Sequence, residues 1–357
     1  MKNLRSIAII FGSLTLFSPA AQAAILPSFG IEYCTWDATH IVEVTQGINR
    51  DGVCTVLVSW KGDLKKDDVL RFPELRDFAG DDQRRIFVFR ETKVPSKRVT
   101  HVSGLRMVLF LKKGTKGLGA QEQVSPWHGA SWGRDVKTSV AWLDGGEVFA
   151  FVQIMNPGGQ VVWPLGLTEK QFKERVLHIN QTKEKLRQAV EVKDSRERAE
   201  SLANLVRGDL SACQREAVAA LSQCGENGLP TVRKLLKEKS PAWVTQDLIR
   251  AMGKIGGPVA GRELVALLKD EFAFWKARGP KLKGDWWHDW SLGQKEVYIL
   301  RDRKGYFNAI IGALGQAKYP ECRPLVREVH DFLKANPHLI TSGGYAMDWC
   351  RVILAEK

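Results

Sequence analysis

The sequence lacks the short motifs that mark several large enzyme classes. It contains no C-x-x-C pair, no His/Cys cluster at zinc-binding spacing, no Walker loop and no Rossmann glycine fingerprint. These absences exclude a thioredoxin-type redox site, a zinc ribbon, a P-loop nucleotide site and a dinucleotide-binding fold. We therefore predict no catalytic residues, no metal ion and no cofactor.

Long hydrophobic runs are missing as well. Beyond the N-terminal segment, the apolar stretch 148–155 has only eight residues and includes Gln153, whereas a membrane-spanning helix needs about 20 apolar residues. The chain has 357 residues, of which 44% are hydrophobic and 26% are charged. This composition is typical of a globular protein with up to two domains and excludes an integral membrane protein.

The N-terminus has the three parts of a secretory signal peptide. Lys2 and Arg5 form a basic start, 7–17 is a mostly apolar run, and Ala21-Gln22-Ala23 is an A-x-A cleavage pattern. This combination, which covers 1–23, is typical of an export signal that is removed from the mature protein. We predict cleavage after Ala23 and a periplasmic or extracellular product.

Positive charge concentrates in the C-terminal half. The whole chain carries 53 basic and 40 acidic residues, and removal of 1–23 leaves 51 against 40, or +11. Residues 24–167 hold 18 basic and 16 acidic side chains, and residues 168–357 hold 33 and 24. Because export disfavours nucleic acid as a partner, we predict a protein or an anionic envelope polymer. The alternative is a solvated helical surface rich in Lys and Arg, without a partner.

The six cysteines are compatible with disulfides in an oxidising compartment. Cys213 and Cys224 are predicted to lie on one helix, about 16 Å apart along its axis, which is too far for a bond. The pairs that remain open are Cys34 with Cys54 and Cys322 with Cys350.

Residues 36–165 show strand patterns separated by turn signals. β-branched and alternating segments predict strands, and the first two are predicted to form a hairpin. The predicted strands are 38–45, 53–60, 86–94, 105–112, 136–143, 147–155 and 160–165. This number of strands joined by turns predicts an antiparallel barrel or sandwich.

The pattern changes to helical spacing at residue 167. Thr168 with Gln171, and Ser211 with Gln214, have the spacing of capping boxes at helix starts. Helices are also predicted to begin near Pro230, Pro241 and Pro258, since proline is well tolerated in a first helical turn.

Three helical segments repeat one another. They are 220–225, 251–256 and 310–315, and they end at Gly225, Gly256 and Gly315. The second interval between these glycines is about twice the first, which predicts that one repeat position is missing or replaced.

The residues that carry this repeat, 215–236 and 248–268 with a weaker match at 306–333, resemble HEAT helical repeats. The resemblance implies a scaffold that binds partners through a stacked helical face and has no shared catalytic residues. Residues 272–304 interrupt the pattern as a Trp-rich insertion.

The N-terminal half resembles netrin-type and OB-like barrels in three short segments. These are 38–42, 58–62 and 107–111, which include the sequence W-K-G and a late apolar strand. The resemblance implies a small closed or partly closed sheet.

Two Trp/His segments are candidate binding sites. Trp faces stack on sugars or aromatic partners when exposed, and pack the interior when buried, so both readings stay open. The first candidate set is Trp286, Trp287, His288 and Trp290; the second is Trp127, His128 and Trp132.

A third candidate is Ser131, within G-A-S-W-G. A nucleophile elbow of this pattern needs a strand before it and a helix after it, and here a predicted strand follows. A serine hydrolase is thus a less favoured alternative.

Together these features predict an α+β protein with an antiparallel β domain at 24–166 and a HEAT-like helical domain at 167–357. The predicted function is an exported, non-enzymatic interaction scaffold. The main alternative is a carbohydrate- or cell-wall-binding protein that uses the Trp286 set.

Overall fold

A computed structural model describes residues 29–44, 52–72, 86–88, 106–113, 127–130, 139–144, 146–152, 160–284, 286, 292–339 and 345–355. Within these ranges the chain forms a mainly antiparallel sheet followed by a series of helices, so the α+β prediction is confirmed. Contacts divide the chain into two compact units. The sheet unit holds the described residues within 1–30 and 37–172, and the helical unit holds 31–36 and 173–357.

Nine strands are described in the sheet unit. They are β1 (His40–Val44), β2 (Val53–Lys61), β3 (Val69–Arg71), β4 (Ile86–Val88), β5 (Arg106–Lys113), β6 (Trp127–Gly129), β7 (Val140–Asp144), β8 (Glu147–Val152) and β9 (Gln160–Thr168). Each of the seven predicted strands overlaps one of them. The two short strands β3 and β6 were not predicted.

The strand order is β3-β2-β1-β5-β7-β8-β9-β4, and β6 pairs with the far end of β5. Neighbouring strands are antiparallel except β4 and β9, which are parallel. This parallel pair departs from the purely antiparallel sheet that the turn signals predict.

The centre of the sheet is apolar. All five residues of β1 are buried, and β5 contributes a run of five buried residues, as expected for strands that are covered on both faces. Phe110 of β5 meets Phe172 edge-on with ring centroids 6.2 Å apart. This contact ties the first turn of the following helix to the sheet.

A short helix precedes the sheet and was not predicted. This helix, α1 (Ile31–Asp37), buries Cys34, Thr35 and Trp36, and its residues 31–36 belong to the helical unit. The predicted β domain at 24–166 thus includes a segment whose contacts group it with the helices.

Nine further α-helices follow in the described part of the chain. They are α2 (Glu169–Glu191), α3 (Ser195–Val206), α4 (Ser211–Leu221), α5 (Leu229–Lys237), α6 (Ala242–Ile255), α7 (Gly257–Arg278), α8 (Gln294–Ala317), α9 (Arg323–Ala335) and α10 (Tyr345–Ala355). The predicted starts at Pro230, Pro241 and Pro258 agree with α5, α6 and α7.

Even-numbered helices from α4 onwards form one row. α4 contacts α6, α6 contacts α8, and α8 contacts α10. At the α6–α8 contact, Gly305 lies against Gln246 and Gly253 lies against Ala313. Both residue numbers rise together along this contact, so the two helices run in the same direction.

Odd-numbered helices from α3 onwards form a second row. α3 contacts α5 and α7 contacts α9, while an Arg233–Glu263 ion pair joins α5 to α7. Phe272 and Phe332 pack edge-on across α7 and α9 with ring centroids 5.4 Å apart. From α3 to α10, alternate helices of the chain are thus neighbours in space.

One close approach explains a repeated glycine. A Cβ at position 253 would lie 2.6 Å from the Cα of Ala313, closer than side-chain atoms ever sit. The glycine of the second predicted repeat segment therefore lets α6 pack directly on α8. The longer interval between Gly256 and Gly315 contains α7 and most of α8. That one repeat position is missing or replaced stays a prediction.

The two predicted capping boxes have different outcomes. At α2, Thr168 N donates to Gln171 Oε1 at 2.9 Å and Gln171 N donates to Thr168 Oγ1 at 3.2 Å, so this box is confirmed. At α4 the prediction is wrong, because the Gln214 amide instead donates to the carbonyls of Val206 and Gly208.

Candidate functional site

The Trp-rich insertion, 272–304, includes the end of α7 and the first turns of α8. α7 continues to Arg278 and α8 begins at Gln294, so the segment between these helices is 279–293. Trp286 has no exposed surface, and its ring centroid lies 6.3 Å from that of Trp275 on α7. Trp286 is therefore a buried anchor of the insertion.

This burial bears on the predicted Trp site. A ring without exposed surface cannot stack on a sugar. The glycan hypothesis therefore rests on Trp287, His288 and Trp290, which lie outside the described residues.

A partly buried ion pair connects the same two helices. Glu271 on α7 is 8% exposed and accepts two hydrogen bonds from Arg303 on α8, at 3.1 and 2.9 Å. Burial raises the pKa of Glu271, while Arg303 opposes that rise. The Arg303 guanidinium also lies 3.8 Å from the ring centre of Phe274. These contacts fasten α7 to α8.

Lys304 completes the cluster from α8. Its Nζ is buried and lies 5.9 Å from the ring centre of Trp286. Burial lowers the pKa of Lys304 to about 7, because the apolar surroundings disfavour the charged amine. An amine of this kind can act as a base or nucleophile near neutral pH. Here the atom is buried beside Trp286, so the arrangement favours a structural role.

The second predicted Trp/His site is only partly described. The backbone of Trp127 and His128 forms β6, which pairs with the end of β5 at Lys113 and Lys112. Trp132 and the candidate nucleophile Ser131 lie outside the described residues. On the other side of β5, Leu111 pairs with His40 of β1. The topology thus brings β6 and His40 to the same end of the sheet.

A hydrogen-bonded chain of polar groups lies at this end. Thr39 Oγ1 is 2.9 Å from His40 Nδ1, and His40 Nε2 is 2.6 Å from Asp63 Oδ1. His40 is 8% exposed, and its hydrogen bond to Asp63 lowers the pKa of that carboxyl. The sequence gives no indication of these hydrogen bonds, because a complete strand, β2, separates His40 from Asp63 in the sequence.

The order hydroxyl, imidazole, carboxylate is shared with acyl-transfer relays. Thr39 Oγ1, however, also donates to the Leu111 carbonyl at 3.3 Å and accepts from Lys113 N at 3.2 Å. The hydroxyl is thus engaged by the β5 backbone. We interpret these hydrogen bonds as a structural link between the start of β1 and the loop after β2.

The docking of α1 was also missed. Glu32 Oε1 accepts a hydrogen bond from Ala212 N at 2.6 Å, and Trp36 Nε1 donates to Glu216 Oε1 at 2.7 Å. Lys183 donates to the Trp36 carbonyl. Glu32 thereby caps α4, whose own cap residue makes no side-chain bond. Partners this far apart in the chain leave no local sequence signal.

Metal and membrane sites are not found in the described part of the chain. No group of three or more His, Cys, Asp or Glu side chains there is placed to hold a metal ion. Among the described helices, none combines the length and apolar character that a membrane span requires.

Comparisons of the chain with protein-family models, with curated proteins and with solved structures each find no match.

Proposed function

We propose that this protein is an exported, non-enzymatic scaffold of the cell envelope or exterior, and that it binds partners through a HEAT-like helical stack. The observation that carries the proposal is the row of successive contacts from α4 to α10, with α6 and α8 running in the same direction. Stacks of this kind offer long continuous surfaces and are commonly used for binding.

The polar clusters support a scaffold more than an enzyme. Glu271 and Arg303 neutralise each other, and Lys304 Nζ is buried beside Trp286. His40 links two segments of the sheet unit through Asp63. Each cluster has a packing role that accounts for its position.

Half-exposed aromatic and Arg side chains on the even-numbered row also support binding. Arg215 of α4 stacks on Trp243 of α6 with its guanidinium 5.1 Å from the ring centre. Arg250, two turns along α6, has a side chain that is 43% exposed. Trp and Arg are enriched among the residues that dominate binding energy at protein interfaces.

Cell fractionation and in-cell photo-crosslinking test the proposal. We expect the protein in the exported fraction, with Ala24 as its N-terminal residue by mass spectrometry. A photo-crosslinking residue at position 250 should yield a discrete adduct. The matched control is position 58 in β2, where Val58 is 49% exposed. Cytosolic retention of an uncleaved chain, or identical adducts at both positions, would contradict the proposal.

A further inference from the structure

The exposed side of α7 carries a regular line of basic residues. Arg262, Lys269 and Lys276 are exposed and seven positions apart, with the exposed Ala266 and Ala273 between them. Positions at intervals of three and four residues share one face of a helix. Successive cations therefore lie about 10 Å apart along a straight line.

The neighbouring helix of the same row extends this surface. Lys234 and Lys237 are exposed on α5, which the Arg233–Glu263 ion pair joins to α7. We use "basic face" for the exposed cations of these two helices. Its members are Lys234, Lys237, Arg262, Lys269 and Lys276.

Few carboxylates offset the basic face. Glu263 is held by Arg233, and Glu271 is buried against Arg303. Asp270 is the remaining acidic residue of α7 and is exposed, while α5 contains none. Among the residues that the structure describes, no carboxylate forms a salt bridge with a member of the basic face. The surface is thus complementary to a partner with several negative charges.

From this arrangement we infer that the basic face binds an acidic polysaccharide outside the cell. The step deepens the proposed function, on which it rests for the compartment. A line of single cations matches an extended polymer with one acidic group per disaccharide, whose repeat is close in length to two turns of helix.

A lipid surface fits the basic face less well. Helices that lie on membranes insert large apolar side chains between the headgroups. Between the cations of α7 there are alanines, and the one large apolar side chain in line with them, Val259, lies in the first turn and is 38% exposed. The face can attract anionic lipid but offers little to insert.

A binding assay with defined polymers tests the inference. The protein as expressed, with its N-terminus determined by mass spectrometry, is titrated with hyaluronate, neutral dextran, polyglutamate and phosphatidylglycerol vesicles. Hyaluronate carries one carboxylate per disaccharide and so has the charge spacing that the inference requires. We expect the tightest binding to hyaluronate, none to dextran, and weaker binding as salt rises, because salt screens exposed charges.

Matched triple variants separate the basic face from total charge. In one variant Arg262, Lys269 and Lys276 become Gln; in the control, the exposed Lys185, Lys193 and Lys254 become Gln. We expect the first variant to bind hyaluronate about tenfold more weakly, since that is about what three exposed ion pairs contribute together. The control should bind nearly as tightly as the unaltered protein.

Equal losses in both variants, tighter binding to vesicles or polyglutamate, or no binding to hyaluronate at low salt would each overturn the inference. These failures are distinguishable from failure of the proposed function. An exported protein that crosslinks through position 250 but ignores the polymer loses only the inference. A cytosolic protein loses the proposed function, whatever it binds in the assay.

Discussion

Removing the indole of Trp36 should destabilise the helical unit by about 3–5 kcal/mol, the usual cost of truncating a buried Trp to Ala. The Trp36 side chain is 3% exposed, and Lys183 Nζ lies 5.7 Å from its ring centre. Its hydrogen bond to Glu216 contributes less, because Glu216 is exposed and water can replace the donor. Most of the loss should therefore come from packing.

Tyr33→Ala is the matched control for Trp36→Ala. Tyr33 is an aromatic residue on the same short helix but is 45% exposed, so its removal should change the free energy of unfolding by no more than about 0.5 kcal/mol. Urea unfolding followed by far-ultraviolet circular dichroism is the suitable assay, since helices dominate that signal. With a urea slope of about 3 kcal/mol per molar, the Trp36→Ala midpoint should fall by about 1 M or more.

A third variant separates capping from packing. Glu32→Ala removes the acceptor for Ala212 N and should cost about 1 kcal/mol, the usual worth of a helix cap. Glu32→Gln should cost less, because its amide oxygen still accepts. Equal midpoints for Trp36→Ala and the unaltered protein would refute the reasoning, since α1 would then contribute nothing to the helical core.

Three further predictions concern single positions. The pKa of Lys304 is lowered to about 7 in the folded protein, so the unfolded chain binds this proton more tightly. The free energy of unfolding should therefore rise between pH 7 and 9 by up to about 1.4 kcal/mol per pH unit. Urea titrations at each pH measure this slope, and Lys304→Met should remove it. Gly253→Ala should destabilise the fold by about 1–3 kcal/mol through overpacking, although Ala is the better helix former; Gly284→Ala, with nothing within 4 Å, should be nearly neutral by the same assay. Glu43→Ala, which removes the buried acceptor of Arg106 at 2.7 Å, should lower stability by about 2 kcal/mol in thermal unfolding.

Features with local causes could be predicted from the sequence. Alternating and β-branched residues indicated seven strands that the structure contains, because side-chain period follows directly from strand geometry. The box formed by Thr168 and Gln171 was also predictable, since both partners lie within one helical turn. Neither prediction required knowledge of a distant residue.

Features with distant causes could not be predicted. The residues at the start of α4 fit the capping-box pattern. In the structure, however, Ala212 N donates to Glu32, which precedes all the described strands in the sequence, and the Gln214 amide donates to the carbonyl of Val206. The helix α1 itself has seven residues, too few for a reliable periodic pattern, and it is stabilised by tertiary contacts. The same holds for the link between His40 and Asp63.

The Trp-rich insertion contributes both to the exposed surface of α7 and to the packing beneath that surface. α7 has 22 residues, or about 33 Å, whereas its row neighbour α5 has nine, or about 14 Å. Residues 272–304, which interrupt the sequence repeat, therefore lengthen α7 and α8 along their axes. They add no helix between α6 and α8, which contact each other directly. The added turns of α7 carry both Lys276, on the exposed side, and Trp275, against the buried Trp286. Aligning the repeat segments by Gly225, Gly256 and Gly315 could not reveal this extension, because the added residues lie between the aligned segments.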